Sequence, residues 1–151
     1  MWAYESVFYQ IYPLGFCGAP KQNDGILTPR LQIVTSWIPH ILDCGANAIY
    51  FSPLFESDAH GYDTRDYRKL DCRLGTNEDF AAVCRELHQN GIKVVLDGVF
   101  NHVVRGFWAF QDVLSIAKIH LTKIGFISIL AAMMAITMAC GTKVGKATMN
   151  W

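Results

Sequence analysis

The sequence predicts an α/β fold built on a parallel sheet, and three observations predict it. Strand-like and helix-like runs follow one another as strand, helix, strand, long connection, helix, strand, and such alternation folds as right-handed βαβ units. Two of the runs, Ala48–Phe51 and Ile92–Leu96, are short, largely apolar stretches suited to strands buried on both faces. The second of them stops abruptly at Asp97, Gly98, Asn101 and His102. Parallel α/β proteins bind ligands at the carboxyl ends of their strands, so this cluster of hydrogen-bonding groups reads as a site rim. A strand running into an ordinary polar turn would look the same from this stretch alone.

Ser6–Tyr12 alternates weakly, is rich in aromatic and β-branched residues, and is closed by Pro13 and Gly15, which predicts the first strand. After a polar loop, Thr28-Pro29 predicts a helix start with Thr28 as N-cap and Pro29 at the first helical position. Leu31, Val34, Ile38, Ile41 and Leu42 recur at helical spacing. Pro39 inside this run predicts a kink, and Gly45 predicts a left-handed C-cap. Ala48–Phe51 is the second strand. From Leu54 to about Gly75 no periodicity is visible, which predicts a long functional connection, ordered by Phe55, Tyr62 and Tyr67 among many polar groups. Within it, Arg65 and Asp66 are expected to pair. Thr76-Asn77-Glu78-Asp79 predicts a capping box with Asp in the place of Glu. Phe80, Val83, Cys84 and Leu87 form the buried helix face, Asn90-Gly91 ends the helix, and the third strand follows.

The chain has 151 residues, enough for a real core. Its formal net charge is zero, which leaves no electrostatic footprint for nucleic acid. The five cysteines, Cys17, Cys44, Cys72, Cys84 and Cys140, are scattered, odd in number and without a C-x-x-C pair. They read as free thiols in a reducing compartment. Met1–Ser6 carries no basic or apolar signal region, so a cytoplasmic location is expected. No internal repeat is visible.

Asp97-Gly98-Val99-Phe100-Asn101-His102 resembles the D-x-V-x-N-H signature of the α-amylase superfamily, glycoside hydrolase family 13. His60–Tyr67 resembles the same family's segment after its second barrel strand, Val7–Pro13 its first strand, and Leu74-Gly75-Thr76 before Asp79-Phe80 is also typical of it. Several motifs in the right order, from about Trp2 to Phe110, make the resemblance specific. It implies a (β/α)₈ barrel, of which residues 1–113 are the first three βα units. It also implies retaining cleavage or transfer at α-glucosidic bonds, which uses one carboxylate as nucleophile and one as acid/base. In the family those groups and a stabilising Asp belong to the fourth, fifth and seventh strands. No carboxylate of this chain is matched to those roles, so the chain is expected to be a fragment, inactive alone, of an enzyme acting on α-glucans or maltooligosaccharides.

What the resemblance does carry over is a glucose-binding rim. His102 is expected to donate a hydrogen bond to a sugar hydroxyl, and Tyr62 to stack its ring on the sugar. Asp97 is expected to orient an arginine on the fourth strand, and without that arginine is a carboxylate lacking its partner. Asp63 is expected to hold the non-reducing end of the substrate; a solvated loop aspartate remains the other reading. Asn101 ligates calcium in some members, but one ligand does not predict a metal, and no cofactor is expected.

After Val113 the character changes. Ile124–Cys140 is almost wholly apolar, flanked by Lys118, Lys123, Lys143 and Lys146, and falls within the roughly 17–25 residues of a membrane-spanning helix. Two readings follow. One is a tail-anchored membrane protein with a sugar-binding head. The other, which we favour, is that residues 114–151 are a frameshift product forming a non-native apolar helix, whose membrane association would be an artefact. Methionine has one codon, ATG, so a two-base shift turns Met133, Met134 and Met138 into Asn, Asp, His or Tyr. With permitted codons the shifted tail reads as a polar, aromatic, glycine-rich segment like the family's inserted domain.

Overall fold

The computed structural model describes residues 1–115. In chain order its elements are β1 (Phe8–Ile11), the single-turn helix α1 (Pro13–Phe16), a 3₁₀ segment over Arg30–Trp37, α2 (Ile38–Asp43) and β2 (Ala48–Phe51). There follow β3 (Phe55–Ser57), β4 (Thr64–Leu70), α3 (Asn77–Gln89), β5 (Lys93–Leu96) and α4 (Trp108–Ser115). The apolar stretch 124–140 and the expected tail unit lie outside the described residues. Among the described residues no helix is long and apolar enough to cross a membrane.

The three predicted strands form one parallel sheet in the order β1-β2-β5. Each pair spans a βαβ crossover, as the alternation implies. Gln10, Tyr50 and Val95 share one row, and Ile11, Phe51 and Leu96 the next. Side chains alternate between faces along a strand, so the two rows point to opposite sides. Ile11, Ile49, Phe51 and Val94 face the core beneath the helices, where Phe51 meets Phe80 edge-on at 6.3 Å. The opposite face carries Phe8, Gln10, Tyr50, Lys93 and Val95. The expectation of strands buried on both faces therefore holds on the helix side and at Ala48; elsewhere on the opposite face Tyr50 and Val95 are half-buried and Lys93 is exposed.

The run after Thr28 departs from the single kinked helix its spacing predicts. Pro29, not Thr28, occupies the cap position of the 3₁₀ segment, without a side-chain cap bond. The α-helix begins only at Ile38, with Pro39 in its first turn. Proline is tolerated there because the first-turn amides lack intrahelical acceptors anyway. Leu31, Val34, Ile38 and Ile41 are buried as the spacing implied. At the far end Gly45, at φ +74°, closes a Schellman motif: Ala46 N donates to Ile41 O at 3.2 Å and Gly45 N to Leu42 O at 2.8 Å.

The capping box forms as expected. Asp79 N donates to Thr76 Oγ1 at 3.1 Å, and Thr76 N to Asp79 Oδ2 at 2.9 Å. The Thr76 amide, and after it the Thr76 hydroxyl donating to Asp79 Oδ2 at 3.0 Å, hold the Asp79 carboxyl below its ordinary value. Phe80, Val83, Cys84 and Leu87 face the core. The expectation of free thiols holds for Cys17, Cys44 and Cys72; Cys84 is disulfide-bonded.

The largest departure is the connection after β2. Where no periodicity was visible, β3 and β4 pair antiparallel as a hairpin with register shifts on either side of Glu56. Irregular register breaks the two-residue alternation that would have announced it. The hairpin packs through Tyr67, 1% exposed, whose ring meets Phe55 at 5.7 Å and Phe107 at 5.8 Å. Arg65 and Asp66 do not pair with each other. Arg65 pairs with Asp58, and Asp66 takes both nitrogens of the Arg68 fork at 2.9 and 3.0 Å. Two residues apart on a strand, Asp66 and Arg68 share a face; adjacent residues do not.

Candidate functional site

The carboxyl ends of the three strands remain in register one step beyond the sheet. Ser52 N donates to Ile11 O at 2.9 Å, and Asp97 N donates to Phe51 O at 2.9 Å. Tyr12, Ser52 and Asp97 thus form a row across the end of the sheet, on the face that carries Gln10 and Tyr50. Gln10 Nε2 donates to Ser52 Oγ at 3.1 Å within this row. Burial, and then the charge of Asp97, pushes the Tyr50 phenol above its ordinary value, and the nearby Tyr62 acts in the same direction. Asp97 hydrogen-bonds the Tyr50 side chain, and Tyr62 lies near enough to act on it.

Tyr62 projects from the turn between β3 and β4 and is 41% exposed. Its backbone neighbour Gly61 has φ +88°, and a Cβ there would lie 2.7 Å from the Pro53 carbonyl oxygen. Only glycine fits so close an approach in a left-handed conformation. Asp63 organises the turn from inside: Oδ2 accepts from Ala59 N at 2.7 Å and Oδ1 from His60 N at 3.0 Å. His60 Nδ1 lies 3.4 Å from the same carboxylate. Tyr12 donates from its hydroxyl to His60 O at 3.1 Å, docking the turn onto the strand ends. Partial burial pushes the Tyr12 phenol upward, against the pull of the Arg73 charge.

His102 lies on the segment after β5, which is held from the hairpin. The Tyr67 hydroxyl donates to Val99 O and, at 3.4 Å, to His102 O, tying the segment after β5 to the hairpin. The His102 ring is exposed, with Nδ1 3.1 Å from Asn101 Oδ1. Asn101 thus directs its amide oxygen toward its own neighbour. Contacts gather Tyr62, Asp63 and Asp97 about Tyr12 and Tyr50; the His102 backbone is held by Tyr67 and its side chain has Asn101, not one of these residues, as its partner.

Sequence reasoning missed Tyr12, Tyr50 and Arg73. A signal for the first two was present, since Tyr12 follows Gln10 by two residues and Tyr50 shares a row with Gln10, but the row exists only once the register is known. A grouping of possible metal ligands, Glu56, Asp71 and Cys72, lies under the hairpin. Their acceptors are already engaged: Glu56 takes Cys72 N at 2.9 Å and Asn23 Nδ2 at 2.9 Å, and Asp71 takes Arg73 and Ser57. Burial and the charge of Glu56 push the Cys72 thiol upward, so it is a poor source of thiolate.

A parallel α/β sheet whose strand ends carry aromatic and hydrogen-bonding groups, with a docked hairpin beside them, resembles the opening arc of a (β/α)₈ barrel. The family model for the α-amylase catalytic domain matches residues 10–122, and the chain belongs to this family. It is 38% identical over 130 residues to neopullulanase 2 of Thermoactinomyces vulgaris, covering 75% of this chain and 22% of that protein. It is 41% identical over 103 residues to the oligo-1,6-glucosidase of Heyndrickxia coagulans, covering 67% of this chain and 18% of that protein. Among solved structures, the ligand-free cyclic α-maltosyl-(1→6)-maltose hydrolase of Arthrobacter globiformis superposes with a TM-score of 0.61 at 37% identity, covering 76% of this chain and 29% of that one. The chain spans about a fifth of the length of the curated relatives it matches.

Proposed function

We propose that this chain supplies the sugar-binding rim of a retaining glycoside hydrolase or transglycosylase acting on α-glucans. The observation that carries the reading is geometric: the Asp97 amide extends the sheet register at Phe51 O, and the Tyr12 hydroxyl docks the Tyr62-bearing turn onto the same strand ends through His60 O. In this reading the Tyr62 ring packs against a glucose face, and the exposed His102 ring donates to a sugar hydroxyl. Asp97 fixes the polar floor beside Tyr50 and receives an arginine from a further strand. Asp63 shapes the turn that presents Tyr62 and lies within reach of the end of a bound chain. The reaction itself takes a nucleophile and an acid/base flanking the bond. The likeness to the family assigns these to later strands, so the residues named here bind the sugar and do not cleave it.

The relatives named above act, by their names, on pullulan-like, α-1,6-linked and cyclic maltosyl substrates, which supports an α-linked glucan as ligand. The test is titration of the full chain with maltohexaose, with cellohexaose as the β-linked control. Binding of maltohexaose alone, weakened about tenfold by Tyr62→Ala, is the expected result. Equal response to both sugars, or no effect of Tyr62→Ala, overturns the proposal.

A further inference from the structure

Among the described residues Arg73 is the largest side chain that is fully enclosed, and the rim does not contain it. Its guanidinium and the Asp71 carboxylate are both 0% exposed and meet at 2.7 Å. Burying a charge without partners is prohibitive, so the arrangement persists only if the donors are satisfied. They are. Nε and Nη2 grip the two Asp71 oxygens at 2.8 and 2.7 Å, and Nη2 also donates to Ser57 Oγ at 3.0 Å. Nη1 donates to Pro20 O at 2.8 Å, Lys21 O at 3.3 Å and Ala59 O at 2.8 Å. Ser57 closes the circuit by donating from Oγ to Asp71 Oδ2 at 2.8 Å. One planar fork therefore joins the segment after α1, the start of the β3–β4 turn and the end of β4.

Ala59 is the point where this circuit meets the rim. Its carbonyl accepts from Arg73, while its amide donates to Asp63 Oδ2 at 2.7 Å. The next residue, His60, donates its amide to Asp63 and accepts at its carbonyl from Tyr12. The backbone three residues before Tyr62 is thus held from below by Arg73 and from above by Asp63. The six-residue turn 58–63 carries one backbone bond across itself, Asp58 N to Asp63 O at 3.3 Å, so these side-chain bonds carry most of its order.

We propose that Arg73 is a positioning residue for the α-glucan rim: anchored on Asp71, it holds the Ala59 carbonyl and thereby sets the turn that presents Tyr62. This rests on the rim reading above for its sugar, and on the hydrogen-bond circuit for its mechanism. Lysine cannot replace it, because one ammonium cannot span the Asp71 oxygens, Ser57 and the Pro20, Lys21 and Ala59 carbonyls at once.

The experiment uses the full chain and two variants. Arg73→Met with Asp71→Leu removes the clamp without leaving a buried charge unpaired, an exchange that buried ion pairs often tolerate. Arg73→Lys keeps the charge and loses the fork. Hydrogen exchange at the Ala59 and His60 amides is read beside maltohexaose binding. Both variants are expected to lose at least about tenfold protection at these two amides while α3 amides keep theirs, and to bind maltohexaose about tenfold more weakly. Protection at Ala59 and His60 equal to that of the unmodified chain in Arg73→Lys overturns the proposal, whether or not the double variant folds. If the unmodified chain binds no maltohexaose, the rim reading falls, and the ratio of protection at the two amides still decides the role of Arg73.

Discussion

Asp97 donates its amide to the carbonyl of Phe51 at 2.9 Å, one residue past the last paired position of β2 and β5. That bond extends the sheet register to a carboxylate and turns its side chain to the face of Tyr50. Burial and the Asp97 charge both raise the Tyr50 phenol. Removing the charge leaves burial in place, so Asp97→Asn is expected to lower the Tyr50 pKa part of the way back toward its ordinary 10.0. An NMR pH titration of ring-labelled tyrosine, assigned with Tyr50→Phe, reads this directly. An unchanged Tyr50 titration in Asp97→Asn would separate the two residues.

Gly61→Ala is expected to destabilise the turn before it touches the core. A left-handed alanine costs roughly 1–2 kcal/mol, and the added Cβ meets the Pro53 carbonyl at 2.7 Å. Urea unfolding should show a loss of at least that size, accompanied by faster exchange at the Ala59 and His60 amides. Gly45→Ala, also left-handed but with open space around its Cβ, serves as comparison and should lose less.

The Thr76–Asp79 box makes an acid-sensitive contribution. Asp79 is held below its unfolded value of 3.8, so its stabilisation is complete above that value and fades as pH falls through the lower folded value. The stability difference between the unmodified chain and Asp79→Asn should therefore shrink as pH drops below about 4. Thr76→Ala is expected to cost about 0.5–2 kcal/mol near neutrality. Denaturant titrations at pH 3 and pH 7 check both statements.

The free thiols should react in a definite order. Burial pushes the Cys17 thiol to about 11, against an ordinary 9.0, whereas Cys44 is exposed. At pH 8 the Cys17 thiolate is on the order of a hundredfold scarcer than for an ordinary thiol. Mass spectrometry after brief iodoacetamide treatment should find Cys44 modified first and Cys17 last. Rapid Cys17 labelling would mean that the α1 region opens readily.

The sequence by itself determined the parallel sheet, the alternation of its crossovers, the capping box at Thr76 and the glycine closures at Gly45 and Gly91. Each of these depends on residues near one another in the chain, where side-chain period and cap chemistry act locally. The D-x-V-x-N-H and His60–Tyr67 motifs likewise made the family legible, because short segments carried them. Only the tertiary structure decided the hairpin of β3 and β4, whose irregular register erased its period, and the break of the Thr28 run into 3₁₀ and α segments. It alone showed that Tyr12, Tyr50 and Asp97 share a face, and that Arg65 and Asp66 choose partners other than each other. The Arg73 clamp was beyond sequence reasoning for the same reason: its acceptors come from Pro20, Lys21, Ser57, Ala59 and Asp71, and a guanidinium meets groups up to 53 positions away only after the chain has folded around it.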